Sequence, residues 1–209
     1  GGESTDGKTT VMKVAASVCG GTDYWHSWRA TGNALEGIAS RHNDALLPLD
    51  ELREVDPREA GMIAYMLANG QGKGRARTDG EVRNRRHWTL LLFSTGELSL
   101  AEHTERAGER LYAGMDVRMV QIPSDTGQHG AFEQLHGFAS GQQFADALCD
   151  RVARFHGTAF RAWLAFLTHD QDASTTLARE LLRRYQTVLM PENAGNQVQR
   201  IVARFALLG

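Results

Sequence analysis

Only two cysteines, Cys19 and Cys149, occur in the chain, far apart and without metal-ligand spacing. That scarcity predicts a reducing, cytoplasmic setting. No apolar run approaches the ~20 residues of a membrane helix and no signal peptide is legible, so no membrane partner is expected. An excess of charge of one sign is missing too. A net charge of −2, from 23 Lys and Arg against 25 Asp and Glu, provides no global attraction for nucleic acid or lipid. Any basic surface therefore has to be local. His129, His136, His156 and His169 lack ligand spacing, which argues against a metal site among them. Internal repeats are absent. What is present, 209 residues of which 42% are hydrophobic, suits one α/β core with a smaller satellite.

The most informative stretch opens the chain. Gly2 to Thr9 reads G-x-x-x-x-G-K-[ST], the pattern of a phosphate-binding loop. Gly2 and Gly7 let consecutive N–H groups wrap a phosphate in conformations that a Cβ obstructs. Lys8 is expected to reach the β- and γ-phosphates of ATP, and the Thr9 hydroxyl to coordinate Mg²⁺. Glu3, Ser4, Thr5, Asp6 and Thr10 complete the expected nucleotide-binding set, with Asp6 an anion that weakens affinity for phosphates. Val11, Val14, Ala15 and Val18 then recur at helical spacing as far as Gly20-Gly21, and the dipole of that helix would complete the anion site. The strand that precedes such a loop lies ahead of the first residue, and the chain stops inside the apolar run Ile201–Leu208. Both ends predict a piece of a longer polypeptide.

Asp23–Arg29 reads as a strand, and Asn33-Ala34-Leu35-Glu36 has the form of a capping box opening a helix with Leu35, Ile38 and Ala39 on one face. Ala45–Leu49 reads as a strand ending in Asp50-Glu51. In a parallel sheet ligands gather at the carboxyl ends of strands, which would bring Asp50 to the Mg²⁺ shell and Glu51 to the water attacking the γ-phosphate. Pro48 predicts a local irregularity, because it lacks a ladder donor. Asp56-Pro57-Arg58-Glu59 is a helix start, and the helix runs through Ile63, Met66 and Leu67 to Gly70.

Between Gly72 and His87 lies the one concentrated basic patch: Lys73, Arg75, Arg77, Arg83, Arg85 and Arg86 against Asp79 and Glu81. Asp79-Gly80 is a hairpin-turn signal between its two arms. Charge patterning alone leaves open a solvated loop or a nucleic-acid contact. Trp88–Phe93 reads as a buried strand with Ser94-Thr95 at its end, where a hydroxyl either holds the attacking water or begins a turn. Ser99–Glu102 is a second capping box, whose helix carries Arg106 and Arg110 before a last strand, Val117–Pro123. From Ser124 onward strand patterns disappear. Four apolar stripes mark four helices, around Phe144, Trp163, Leu181 and Ile201. The expected division is a core of residues 1–126 and a helical lid region of residues 127–209.

The order of phosphate loop, Asp50-Glu51, Ser94-Thr95 and helical appendix resembles the AAA+ and superfamily-three helicase branch of P-loop ATPases. G-E-S-T-D-G-K-T-T, S-W-R-A-T-x-N-A-L-E-G, L-D-E-L-x-x-V-D-P-R-E-A and Y-M-L-A-N-G-Q-G-K are more specific. They resemble a bacterial domain-of-unknown-function family of predicted P-loop ATPases, helicase-like and associated with mobile elements. The resemblance implies an α/β parallel-sheet P-loop NTPase core that hydrolyses ATP with Mg²⁺, assembles into a homo-oligomeric ring and grips single-stranded or forked DNA through the basic hairpin. It further implies Ser94 or Thr95 at the sensor position, Arg118 or Arg110 as a finger reaching a neighbour's nucleotide, and Arg200 or Arg204 as the lid arginine. Two other readings stand beside it: a nucleotide-dependent protein-remodelling switch that binds no nucleic acid, and a domain that binds nucleotide without turnover.

Overall fold

Gly7 stands at φ 74°, a left-handed conformation natural to glycine, and caps the helix Lys8–Cys19 (α1). The computed structural model, which describes residues 7–76, 82–111, 114–115 and 117–208, buries Thr10, Met12 and Ala16 on this helix, while Val18 is exposed. The buried stripe thus lies one position round from the expected valine stripe. A short strand follows at His26–Ser27 (β1), inside the longer run expected over Asp23–Arg29. Helix Gly32–Arg41 (α2) is capped by Thr31, whose hydroxyl accepts from Ala34 N at 3.3 Å, so it starts ahead of the box expected at Asn33. Leu35 and Ala39 are buried as their spacing predicts.

Ala45–Asp50 (β2) leads through a 3₁₀ turn, Leu52–Glu54, to helix Pro57–Asn69 (α3). Asp56 caps α3 by accepting from Arg58 N at 2.9 Å, and Gly70, at φ 69°, ends it. The Trp88 indole donates to Leu67 O at 3.0 Å and pins that end to the chain entering Leu90–Ser94 (β5). Between them lies the antiparallel pair Arg75–Ala76 (β3) and Val82–Arg83 (β4). Helix Leu100–Glu105 (α4) carries the expected capping box: Ser99 Oγ accepts from Glu102 N at 3.0 Å and Glu102 Oε2 accepts from Ser99 N at 2.8 Å. It ends with Arg106 as its C-cap, leaving Arg110 beyond it. Helices follow at Gly141–Arg154 (α5), Thr158–His169 (α6), Gln171–Leu189 (α7) and Asn196–Phe205 (α8).

The three longer-range strands form a parallel sheet in the order β1-β2-β5, with Leu47 opposite Leu92 and Leu49 opposite Ser94. Such strands need helical crossovers, and α2 and α3 lie in the two connections. Trp28, Leu35, Leu47, Leu49, Ile63 and Leu67 are fully buried or nearly so. Each large side chain among them contributes about 1.5–3 kcal/mol by leaving water.

Pro48 causes no break in the central strand, contrary to expectation: β2 runs uninterrupted. The reason lies in the alternation of backbone groups along a strand. Asp50 O accepts from Trp28 N on the β1 side, so Pro48, two residues earlier, directs its missing donor to that side as well. There β1 pairs only with Leu49 and Asp50. The Tyr24 carbonyl on that side is met by the His42 ring at 3.3 Å.

The chain divides into two compact units, Gly1–Leu111 with Gln121–Thr158, and Tyr112–Val120 with Ala159–Gly209. In the first, α5 packs on α1. The second draws buried positions from Met115, Val117, Val202 and Ala206, and α7 packs on α8. No strand forms among the described residues of the run Val117–Ile122. Arg118 N and Met119 N both donate to Met115 O at 2.9 Å, a turn, and Ile122 is exposed.

Candidate functional site

Three hydroxyl and carboxylate groups meet where α1 begins and β2 and β5 end. Thr9 Oγ1 donates to Asp50 Oδ1 at 3.2 Å. Thr95 Oγ1 donates to the same oxygen in a close contact. Thr95 Oγ1 in turn accepts from Glu51 N at 3.3 Å. Backbone bonds lock this corner: Thr95 N donates to Leu49 O at 3.1 Å and Leu52 N to Thr95 O at 3.0 Å. Glu51 stands at φ 57°, a left-handed conformation that costs a non-glycine residue about 1–3 kcal/mol and persists only where its surroundings hold it.

The Glu51 side chain faces the same space. Its Oε1 is buried and takes no hydrogen bond from the described residues. Arg53 Nε lies 3.4 Å from it, a contact of charges without hydrogen-bond alignment. Arg53 Nη1 also reaches Glu97 Oε2 at 2.8 Å, so one cation bridges two acids. Ser94 and Thr95 meet different neighbours. Ser94 Oγ accepts from the indole of fully buried Trp28 at 2.9 Å, whereas Thr95 opens to the cleft.

That cleft has a volume of about 340 Å³, at the small end of ligand pockets. The start of α1 and the chain ending β2 and β5 contribute Lys8, Thr9, Glu51, Thr95 and Glu97 to its lining. The loop before α5 and the start of α5 contribute His129, Phe132, Gln142 and Asp146. The N-terminus of α1 points its dipole into the space, and no acidic side chain in its first turn offsets that field. Of the expected phosphate cradle, Gly7, Lys8, Thr9 and Thr10 line the cleft, while Gly2, Glu3, Ser4, Thr5 and Asp6 fall outside the described residues.

Among the described residues the groups beside Thr9 offer oxygen, which suits a small hard cation such as Mg²⁺ held by one carboxylate and one hydroxyl, with ligand phosphates and water completing its shell. Among the described residues no group of three or more His, Cys, Asp or Glu side chains gathers for a metal.

The basic stretch folds back on itself. Gln71 pairs with His87, Arg75 with Arg83 and Ala76 with Val82, one register without a bulge. Lys73, Arg85 and Arg86 are exposed. The Arg86 guanidinium lies over Gly37 of α2, 3.1 Å from where a Cβ would stand. Arg77 and the Asp79-Gly80 turn fall outside the described residues. Arg118 and Arg204 both belong to the second unit. Arg118 Nη1 donates to Gly114 O at 2.8 Å. Burial, followed by the nearby cations of Arg118 and Arg200, holds the Arg204 guanidinium below its ordinary value.

Arg53, Glu97, Phe132, Gln142 and Asp146 escaped sequence reasoning. Glu97, two residues past Thr95, carried a signal, because acids after a strand end reach the same corner as the strand end itself. Phe132 and Asp146 carried none, being far from every motif in sequence.

The family described as a domain of unknown function (DUF927) matches residues 1–87. No curated protein matches the chain. A solved structure described as "SCCmec type IV Cch - active helicase" is similar over 99% of this chain, with a TM-score of 0.71 and 23% identity. The chain spans 35% of that structure's length. At this identity the likeness establishes a shared fold.

Proposed function

We propose that this chain is the ATP-binding and ATP-hydrolysing module of a helicase-like motor of the P-loop, AAA+ type that acts on DNA. The observation that carries the reading is the meeting of Thr9, Asp50 and Thr95 at the N-terminus of α1, below a cleft lined by Lys8 and Glu51. A sequence pattern for binding phosphate and a strand-terminal acid pair, 41 residues apart, come together at one point. The fold shared with a protein described as an active helicase, and the family match at residues 1–87, support the same reading.

In this reading Lys8 and the N–H groups opening α1 bind the β- and γ-phosphates. Thr9 and Asp50 would hold Mg²⁺, which when bound neutralises charge on the phosphates. Glu51 receives the proton of the attacking water, a role open to a carboxylate in the lining of the cleft. Thr95 orients Asp50 and pins the Glu51 backbone. Arg118 serves as the finger and Arg204 as the lid arginine, each acting on nucleotide within a ring of identical subunits. Lys73, Arg75, Arg77, Arg83, Arg85 and Arg86 contact DNA phosphates.

The test is ATPase activity of the intact natural protein with and without single-stranded DNA. Stimulation by DNA is expected, together with loss of ATP binding in Lys8→Ala and retained binding without hydrolysis in Glu51→Gln. Wild-type turnover in both variants refutes the site. An active enzyme indifferent to DNA, with nucleotide-dependent capture of a protein partner, refutes the DNA reading in favour of a remodelling switch.

A further inference from the structure

Building on the reading of the cleft as an ATP site, we infer that its second wall holds the nucleoside, with the Phe132 ring as stacking face and Gln142 and Asp146 as polar partners. The assignment follows from the way α1 opens. Adjacent helix residues point about 100° apart. Thr9 accordingly turns to Asp50, and Thr10 turns away from it, buried, with Oγ1 4.0 Å from Cys149 Sγ of α5. The two threonines thus tie the start of α1 to two different parts of the lining. The acids Glu51 and Glu97 come with the strand ends that hold Asp50 and, through it, Thr9, where the terminal phosphate and its cation belong. The second wall, α5 and the loop before it, contributes an aromatic ring, an imidazole, an amide and a single carboxylate.

That second wall is built rather than loose. Thr126 N and Thr126 Oγ1 both donate to Gly130 O, at 2.7 and 2.9 Å. His129 and Phe132 exchange backbone hydrogen bonds at 3.2 and 3.3 Å, so the loop presents His129 and Phe132 in one fixed turn. The Phe132 ring packs edge-to-face on Phe144 of α5, with centroids 5.0 Å apart, and its Cε2 stands 2.7 Å from where a Gly7 Cβ would be. It is thus held against the end of the phosphate loop, half-buried, with the cleft beside it. Nearby, Gln142 Nε2 donates to Asp146 Oδ1 at 2.8 Å, which orients the pair and leaves acceptor capacity on both. Base amines and ribose hydroxyls are donors, and every base offers a π-face to an aromatic ring. Ring and acceptors together suit a nucleoside and have no use for a bare polyphosphate.

The experiment compares ATP with inorganic tripolyphosphate, which has the phosphates and no nucleoside, by calorimetric titration of the intact natural protein. Phe132→Ala and Phe132→Leu are both measured, since leucine keeps an apolar contact with Phe144 while removing the ring face. ATP affinity is expected to fall about tenfold in both variants, with tripolyphosphate affinity unchanged. An equal loss for both ligands overturns the inference, because the ring then acts by shaping the phosphate loop through Gly7. Unchanged ATP affinity in both variants also overturns it, while leaving the ATP site standing if Lys8→Ala still abolishes binding. ATP binding that survives Lys8→Ala removes the ATP-site reading, and the inference with it.

Discussion

Replacing Thr95 with valine keeps the branched shape and removes one hydroxyl, so it tests the corner that joins the two central strands. Thr95 is 8% exposed, and its hydroxyl serves two partners: it donates to Asp50 and accepts from Glu51 N. A hydrogen bond to a charged group contributes about 1.5–3 kcal/mol and a neutral one about 0.5–1.5 kcal/mol. Asp50 and Glu51 are half-buried, so water replaces part of what is removed. A net destabilisation of about 1–3 kcal/mol follows. For a domain of this size that lowers Tm by roughly 2–10 °C, readable by scanning calorimetry. On the roles proposed for Glu51 and Lys8, the kinetic effect should be larger in kcat than in ATP affinity, because Glu51 loses the bond that holds its left-handed backbone while Lys8 is untouched. A fall in kcat of about ten- to a hundredfold is the expected size for a mispositioned base. Thr95→Ser restores the hydroxyl and should recover most of both losses. A valine variant that melts within about 1 °C of wild type and turns over ATP at the wild-type rate would refute the argument.

Two further expectations concern other parts of the chain. Arg75 and Arg83 stand opposite each other in the hairpin, and alanine at both should weaken binding to single-stranded DNA. The salt slope should fall by about 1.4, at about 0.7 for each phosphate that an arginine no longer neutralises. Fluorescence anisotropy over a salt series reads this, and an unchanged slope makes the hairpin a solvated loop. His26 titrates below its ordinary 6.5, through burial first and then its neighbours His42 and Arg41, with Asp23 opposing. The unfolded chain then takes up the proton more readily, so this group lowers stability as pH falls below 6.5 and ceases to do so above it. Urea midpoints at about pH 5.5 and about pH 7.5 should accordingly lie closer together in His26→Gln than in wild type. An identical spacing in both would dismiss that assignment.

What the sequence determined by itself is local. The Asp56 cap with Pro57 behind it, the Ser99–Glu102 box, the end of α3 at Gly70 and the helix that follows Gly7 each rest on groups within a few residues of one another. Local chemistry of this kind is the same in any surroundings, so spacing alone reveals it. That the strands run parallel was legible for a related reason: apolar runs separated by helices long enough to cross back favour parallel pairing. Tertiary structure decided whatever depends on a partner distant in sequence. The run at Val117–Ile122 has strand composition, yet its described residues form a turn and irregular chain. Pro48 is harmless because of where β1 starts, which no feature of β2 announces. Ser94 and Thr95 are equivalent as a pair of hydroxyls in sequence. Only the buried indole of Trp28 on one side and Asp50 on the other separate them, because successive residues of a strand face opposite ways and the neighbours on each face determine which hydroxyl reaches the cleft.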